Sequence, residues 1–267
     1  MTEPSNVQTK PDESRLPAGA LELGPAIELV EGTRVISDLH LAPLGDRRTE
    51  TFVEECDGMV GVPRLIVLGD RVVVWVGRKQ GRREGTERAL RALRRLVERG
   101  TAVDVVPGNR DTLLGADLEQ FTGAQLHAEG FVGVLPGASR RRRIAFVHGD
   151  ALCSLDRGYQ RLRSLLRRRT VRAASRHAPL WFARWIGARL RSESESRKPF
   201  KLDAERSIRP PAVAALARHL DVDTVVCGHA HVRRDERVGE VRWCVLGAWR
   251  EVSGDRMVIA GGEIQFG

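Results

Sequence analysis

The sequence predicts an α/β fold built from two packed β-sheets with helices on their outer faces. Short apolar strands alternate with helices through most of the chain, a pattern typical of layered α/β domains. Closely spaced strands near the C-terminal end indicate a second, more antiparallel sheet. The chain has 267 residues, of which 42% are hydrophobic, so it is long enough to bury one large core.

The individual elements follow from the apolar pattern. Apolar runs bounded by Gly or charged residues predict strands at 33–36, 64–68, 102–106, 131–135, 144–147, 224–227, 241–246 and 256–260. Helical periodicity predicts helices at 50–58, 84–99, 113–121 and 212–219, and a long, mostly helical insertion that begins at residue 152. The helix at 84–99 has the clearest apolar face, and Gly100 ends it.

The N-terminal residues differ in composition from the rest of the chain. They are rich in Pro, Ser, Glu and Gly and lack the apolar segment of a signal peptide. We therefore expect a disordered tail at 1–30 and a single domain at 31–267. No uninterrupted apolar run is long enough to span a bilayer. The 4 cysteines show no CxxC spacing, which argues against a zinc ribbon or a disulfide framework and favours a reducing compartment.

Positive charge is the strongest bias in the composition. The formal net charge is +9. Nearly all basic residues are Arg, and the lysines are Lys10, Lys79, Lys198 and Lys201. Such a charge fits an acidic partner such as a nucleic acid, an anionic membrane or a phosphorylated ligand. The planar fork of Arg suits phosphate binding, although a GC-rich genome gives the same bias.

Polar side chains follow five of the predicted strands, at the points where those strands end. They are Asp38 and His40, Asp70, Asn109, His148, and His229 and His231. Ligand sites in open α/β sheets form outside the carboxyl ends of the strands, and Asp-x-His or His-x-His places two side chains on one side of an extended segment. Carboxylate, imidazole and amide groups together suit Mn, Fe, Zn or Co better than Ca or Mg. We therefore predict a site for two metal ions that Asp70 can bridge, and we expect His127, His177 and His219 to be ordinary packed or exposed residues.

The order of these blocks resembles the calcineurin-like metallophosphoesterase superfamily. The blocks are Asp38-x-His40, Gly69-Asp70, Gly108-Asn109-Arg110-Asp111, His148-Gly149-Asp150 and Gly228-His229-Ala230-His231. They cover the chain from about Thr33 to His231. The third block has Arg110 where the superfamily usually has His. This variant, followed by Leu113-Leu114-Gly115, resembles the UDP-2,3-diacylglucosamine pyrophosphatases of the lipid A pathway, and the segments 148–161 and 243–249 are similar to that subfamily as well.

The resemblance implies a four-layer αββα sandwich with a helical cap inserted at about 152–205. It implies two divalent ions, with Mn²⁺ expected first, held by Asp38, His40, Asp70, Asn109, His148, His229 and His231. It implies cleavage of the pyrophosphate of UDP-2,3-diacylglucosamine to UMP and 2,3-diacylglucosamine 1-phosphate, with Asn109, Arg110 and His229 as the catalytic residues. Substrate contacts are implied for Asn109, Arg110, Asp156, Ser194, Lys198, Lys201 and His229, and Lys198 stands where that subfamily has Asn. The pKa of Arg stays above about 12, so Arg110 can stabilise charge but cannot transfer a proton.

The composition of the predicted cap fits an acylated substrate and a membrane surface. Its apolar residues are Leu162, Leu165, Leu166, Leu180, Trp181, Phe182, Trp185, Ile186 and Leu190. Its basic residues are Arg161, Arg163, Arg167, Arg168, Arg169, Arg172, Arg184, Arg189 and Arg191. A basic amphipathic helix lies well in an anionic interface, although the same pattern fits a cap that packs on the domain. We expect a cytoplasmic monomer bound peripherally to the inner face of the cytoplasmic membrane.

Four positions depart from the pattern of that subfamily. They are Val74, Leu155, Lys198 and Ala230. They leave open a metallophosphoesterase of the same fold that acts on nucleotides or other phosphodiesters. A second alternative is an Arg-rich nucleic-acid-binding protein without catalysis, but such a protein would not need the complete ligand set. Nucleic acid is therefore not expected as a partner.

Overall fold

The computed structural model describes residues 21, 23–70, 84–135, 142–168, 170–171, 207–251 and 253–267. In chain order the strands are β1 (Ile27–Glu28), β2 (Arg34–Ser37), β3 (Arg64–Leu68), β4 (Ala102–Val106), β5 (Gln125–Leu126), β6 (Phe131–Leu135), β7 (Arg142–Phe146), β8 (Thr224–Cys227), β9 (Arg234–Val238), β10 (Val241–Val245), β11 (Arg256–Ala260) and β12 (Glu263–Phe266). The helices are α1 (Arg47–Gly58), α2 (Glu84–Glu98), α3 (Ala116–Thr122), α4 (Arg157–Leu166) and α5 (Pro210–Leu220), with a 3-10 turn at Asp150–Leu152.

These strands form two six-stranded sheets. Sheet I has the order β12-β11-β2-β3-β4-β5, and its central strands β2, β3 and β4 are parallel. Sheet II has the order β1-β6-β7-β8-β10-β9 and mixes parallel with antiparallel pairs. Helices α1, α2 and α3 cover one outer face and α5 covers the other. The predicted αββα sandwich is thereby confirmed.

Apolar side chains fill the three spaces between these four layers. Strand β3 shows why the sequence folds this way, because side chains in a strand alternate between its two faces. Leu65 and Val67 pack under the helices, while Ile66 and Leu68 lie between the sheets. All four are buried, which is the pattern expected for a strand covered on both sides. On the far side, Val213 of α5 packs against sheet II.

The register of the parallel strands places the ends of several strands together. Ser37 lies opposite Leu68, and Leu68 lies opposite Val106. The chain therefore leaves β2, β3 and β4 at one edge of sheet I, directly before Asp38, Asp70 and Asn109. In sheet II the segments after β7 and β8 also run side by side, since the Gly228 amide donates to the His148 carbonyl at 2.9 Å.

Two expectations about the ends of the chain are wrong. The predicted tail at 1–30 ends too late, because Leu21 and Leu29 are buried and β1 pairs with β6. The late strands do not make a separate antiparallel sheet. Strands β8, β9 and β10 join sheet II, while β11 and β12 extend sheet I. The first helix also begins earlier than predicted, at Arg47, because the Asp46 side chain accepts a hydrogen bond from the Thr49 amide and caps it.

The helix that opens the predicted insertion faces the domain differently from the expectation. Arg163 and Arg167 were expected on a basic surface, but their side chains are only 7% exposed. Leu165, expected on the apolar side, is 47% exposed. The prediction is therefore wrong for these three residues, because α4 turns charged groups inward. Most of the cap at 152–205, including Lys198, lies outside the described residues.

None of the helices in the described part of the chain combines the length and the apolar character needed to cross a bilayer.

Candidate metal centre

The backbone is unusual at the predicted metal ligands. Five of them have positive φ, namely Asp38 (53°), His40 (48°), Asp70 (43°), His229 (67°) and His231 (57°). Among the described residues other than Gly, only Asp221 shares this conformation. A left-handed backbone costs about 1–3 kcal/mol at a residue with a Cβ and persists only where the surrounding structure enforces it. Such residues cluster at functional sites, and here they mark the strand ends that the sequence singles out.

Three glycines allow the loops to approach each other closely. A Cβ on Gly69 would lie 2.1 Å from His148 Nδ1, and a Cβ on Gly108 would lie 2.2 Å from Asp70 Oδ1. A Cβ on Gly228 would lie 1.8 Å from Ser37 Oγ. Real Cβ atoms do not come this close to other atoms, so Gly is required at each position for the polar groups to meet.

Two groups of ligands result. The first cluster consists of Asp38, His40 and His231, and their ligand atoms lie within 4.8 Å of one another. His40 Nε2 is 2.9 Å from His231 Nε2, and His231 Nε2 is 3.2 Å from Asp38 Oδ1. Asp38 is fully buried, while the side chain of His231 is 42% exposed, so this cluster opens to solvent on one side.

The second cluster consists of Asp70, Asn109, His148 and His229. His148 Nε2 lies 3.7 Å from Asp70 Oδ1, 3.2 Å from Asn109 Oδ1 and 3.3 Å from His229 Nδ1. An oxygen of Asp38 also lies within 4.8 Å of ligand atoms of Asp70 and His148, so the two clusters adjoin at this carboxylate. Bridging by Asp70 stays a prediction.

The hydrogen bonds around Asp38 fit a bound cation. Its Oδ2 accepts from the His229 amide at 2.8 Å and lies 2.5 Å from the Ser37 hydroxyl. Its Oδ1 is buried and makes no hydrogen bond with any described residue, although the first cluster's two imidazoles face it. A buried carboxylate oxygen without a hydrogen-bond donor, next to two converging imidazole nitrogens, is a donor set suited to a divalent cation.

The comparison with known families agrees with this geometry. A family model for calcineurin-like phosphoesterases matches residues 33–233, a range that contains all seven predicted ligands. The chain belongs to the calcineurin-like phosphoesterase family. As a calcineurin-like phosphoesterase it is a hydrolase that uses divalent metal ions, and the two clusters are the places where such ions fit.

Curated relatives cover most of this phosphoesterase. A protein of Pseudomonas putida (strain W619) named UDP-2,3-diacylglucosamine hydrolase is 33% identical over 220 residues, which cover 80% of this chain and 90% of the relative. A protein of the same name from Pseudomonas fluorescens (strain SBW25) is 33% identical over 198 residues, covering 74% and 78%. A solved dimetal phosphatase from Danio rerio is 14% identical and covers 85% of this chain and 91% of its own, with a TM-score of 0.43.

The electrostatics of the phosphoesterase site follow from burial. Burial lowers the pKa of His40 to about 3, and burial together with the neighbouring His148 lowers the pKa of His229 to about 4. These two rings are therefore neutral at pH 7, which is the form that binds metals. Burial raises the pKa of Asp70 to about 7. Burial also acts to lower the pKa of His148, but the carboxylates of Asp70, Asp38 and Asp150 together outweigh burial and raise that pKa.

The remaining predicted site residues fall into two groups. Arg110 is at the centre, since its amide donates to Asp70 Oδ1 at 2.9 Å and its Nε lies 3.4 Å from Asp70 Oδ2. Its side chain is 41% exposed, which leaves it accessible to a ligand. Asp156 accepts from the Tyr159 amide at 3.0 Å and caps α4, and its predicted substrate contact stays a prediction. The predicted contacts Ser194, Lys198 and Lys201 lie outside the described residues, as does Val74.

Two histidines excluded from the predicted site have ordinary environments. His127 Nε2 lies 2.7 Å from Asp104 Oδ1, and the ring packs on Phe131. His219 is exposed in the last turn of α5. His177 is not among the described residues.

Ser37 is a part of the site that the sequence analysis missed. Its hydroxyl is buried and lies 2.5 Å from Asp38 Oδ2 and 2.6 Å from the Leu68 carbonyl, so it connects the ends of β2 and β3. The available signal was a polar residue at the last position of an apolar strand, directly before a predicted ligand. Such hydrogen-bonding neighbours orient metal ligands, and their loss typically weakens metal binding or activity by about 10–100-fold.

Proposed function

We propose that this protein hydrolyses the pyrophosphate bond of UDP-2,3-diacylglucosamine to give UMP and 2,3-diacylglucosamine 1-phosphate. The observation that carries the proposal is the 33% identity to a UDP-2,3-diacylglucosamine hydrolase across 90% of that relative's length. The side chains that converge between Asp38 and His231 support the proposal, because they offer carboxylate, imidazole and amide donors for divalent ions.

The residues of the two clusters would hold two divalent ions, and we propose Mn²⁺ for both. When bound, such ions supply Lewis acidity and lower the pKa of a coordinated water to about 7. The chain's own residues then position the pyrophosphate. We propose that the Asn109 amide and the Arg110 guanidinium contact one of its phosphoryl groups, because both flank Asp70 and His148 at the centre of the site.

Arg110 suits an anhydride substrate better than an ester. Its guanidinium stays charged at all working pH values, so it stabilises negative charge but cannot protonate a leaving group. The leaving group in pyrophosphate cleavage is itself a phosphate, which departs without protonation by an acid. His229, whose ring is neutral at pH 7, would contact the metal and the substrate but would not act as a cationic acid.

The location and assembly of the enzyme are proposals as well. We propose a monomer whose helical cap, at about 152–205, receives the acyl chains. We further propose that it works in the cytoplasm at the inner face of the cytoplasmic membrane, because its substrate carries two acyl chains. Flotation with anionic liposomes, compared between the full protein and a variant with fewer arginines in the cap, tests the membrane part.

A substrate comparison tests the proposed reaction. The Mn²⁺-supplemented protein is assayed with UDP-2,3-diacylglucosamine and with bis(p-nitrophenyl) phosphate, and the products of the lipid reaction are identified by ³¹P NMR. We expect a much higher kcat/KM for the lipid substrate and equal amounts of UMP and lipid 1-phosphate. Asp70→Asn serves as the inactive control. A preference for simple diesters would instead support a phosphoesterase with another substrate, an alternative that the departures at Val74 and Lys198 favour.

A further inference from the structure

Helix α4 is joined to two loops of the metal centre by buried ion pairs. The participating side chains are Glu129, Asp150, Arg163 and Arg167, and we call them the α4 network. None of them is one of the seven metal ligands. Arg163 belongs to α4 and Arg167 directly follows it. Glu129 lies in the loop between β5 and β6, and Asp150 is two residues after His148.

Arg163 connects the helix to the loop that carries His148. Its Nε donates to Asp150 Oδ2 at 3.0 Å, and its Nη2 donates to Glu129 Oε2 at 2.6 Å. Asp150 is buried and also accepts a hydrogen bond from the Tyr159 hydroxyl. Arg163 and Tyr159 therefore fix the position of Asp150, two residues after His148.

Arg167 connects the same helix to the loop that carries Asn109. Its Nη2 donates to the Pro107 carbonyl at 3.2 Å, its Nη1 donates to the Ala128 carbonyl, and Nη1 lies 3.0 Å from Glu129 Oε2. Pro107 is two residues before Asn109. One guanidinium thus holds two backbone segments and one carboxylate, a geometry for which the planar fork of Arg is suited.

Burial requires the four charged groups of the network to stay paired. The network contains two cations and two carboxylates, and both guanidinium side chains are 7% exposed. Removing one member would leave a buried charge without its partner, so the groups must stay together. The charges of Arg163 and Arg167 also hold the pKa of Asp150 well below its usual range, although burial acts to raise it.

We propose that Arg163 and Arg167 are positioning residues for the second cluster, so that the first helix of the insertion sets the geometry in which Asn109 and His148 bind their metal ion. The hydrogen bonds and ion pairs of the network reach the loops of Asn109 and His148. Within the described residues, none of these contacts reaches His40 or His231 of the first cluster. A change in the network should therefore weaken binding of the ion in the second cluster more than binding of the ion in the first cluster.

Two conservative variants test this inference. Arg167→Lys keeps the charge but loses the fork, and Glu129→Gln keeps the shape but loses the charge. We expect each to lower the bound Mn²⁺ from two ions per chain towards one, and to weaken binding of the lost ion about 10–100-fold, as replacing groups that orient metal ligands does. Metal content is measured by elemental analysis after dialysis against a weak chelator, and turnover with bis(p-nitrophenyl) phosphate is measured in parallel.

The control is Arg94→Lys, which changes an exposed pair with Glu98 on α2 and should behave as wild type. Unchanged metal affinity and turnover in the folded variants would overturn the inference, even if their melting temperatures fell, because the network would then serve stability alone. Should one variant fail to fold, the other decides. The measurements use metal and a simple diester, so a failed lipid assay would refute the proposed substrate and not this inference. A wild type that binds fewer than two ions would overturn it.

Discussion

The two ligand clusters are supported in different ways. The first is oriented by hydrogen bonds from Ser37 and a backbone amide to Asp38, and it opens to solvent at His231. The second is more enclosed, with Gly108 packed against Asp70 and buried ion pairs behind Asn109 and His148. The difference shows that one site can combine an accessible half, supported by neutral hydrogen bonds, with an inner half supported by packing and charge.

The largest effect is expected from Gly108→Ala, which places a methyl group against Asp70 of the second cluster. The new Cβ would lie 2.2 Å from Asp70 Oδ1 and 2.4 Å from the Asp70 amide, and backbone cannot move away as a flexible side chain can. We expect loss of the second ion and a fall in kcat of at least about 100-fold, the usual cost of displacing catalytic groups by 1 Å. Metal analysis and diester turnover measure this.

Gly58→Ala is the matched control, because a Cβ at Gly58 meets nothing within 4 Å. Near-normal activity in Gly108→Ala would contradict the close approach between these two loops.

The next largest effect is expected from Arg110→Ala, which leaves both clusters in place. Removing a group that stabilises charge in the transition state typically costs about 100-fold in kcat. The Arg110 amide that binds Asp70 is retained, so the metal content should stay at two ions. Loss of metal in this variant would show that the guanidinium supports the cluster through its 3.4 Å contact with Asp70, and the charge-stabilising role would then be wrong.

Ser37→Ala should weaken the open half more modestly. The variant removes the hydroxyl next to Asp38 Oδ2, and we expect about 10-fold weaker binding of the first ion, measured by competition with a chelator. Thr101→Val is the control, since its buried hydroxyl donates to the Val62 carbonyl at 2.8 Å, away from the ligands. Both changes should reduce stability by about 1–3 kcal/mol in thermal unfolding, but only Ser37→Ala should change metal affinity. Equal metal binding in the two variants would contradict the orienting role of Ser37.

The smallest effect is expected at an exposed ion pair, which sets the scale for the buried ones. Arg95 makes three hydrogen bonds to the carboxylate of Asp57 and joins α2 to α1, but both side chains are nearly half exposed. Exposed pairs contribute about 0.2–1 kcal/mol, so Arg95→Ala should change the unfolding free energy by no more than that and leave metal binding intact. A loss of unfolding free energy and metal binding as large as that of Arg167→Lys or Glu129→Gln would remove the distinction between the surface and the interior.

Strands β3 and β4, which are buried on both faces, were predicted from the sequence with correct boundaries. Strand β3 is apolar after Arg64 and β4 is apolar except for Asp104, and such runs need no tertiary information to be recognised. Strand β9 was missed because its sequence, Arg-Asp-Glu-Arg-Val, has almost no apolar residue, and it is a strand only because it pairs with β10. Strands β1 and β5 have two residues each, which is too short for any pattern.

The candidate metal ligands could be selected from the sequence because they follow strands and each lies within two residues of Gly, Asp or another candidate ligand. The α4 network was not predictable. Arg163 and Arg167 belong to a run of arginines that suggests a solvated surface, and their burial depends on Glu129, which is distant in sequence. A helical pattern specifies which residues share a face, but it does not specify whether a charged face meets water or carboxylates.

The charged outer strand of sheet II affects how copies of the protein meet. A strand with one unpaired side offers free amides and carbonyls to which a strand of another chain can add. Among the described strands, β9 ends sheet II, and it exposes Arg234, Asp235, Glu236 and Arg237. Adding a second copy there would place these charges against one another and strip them of water, so this border resists aggregation between neighbouring molecules.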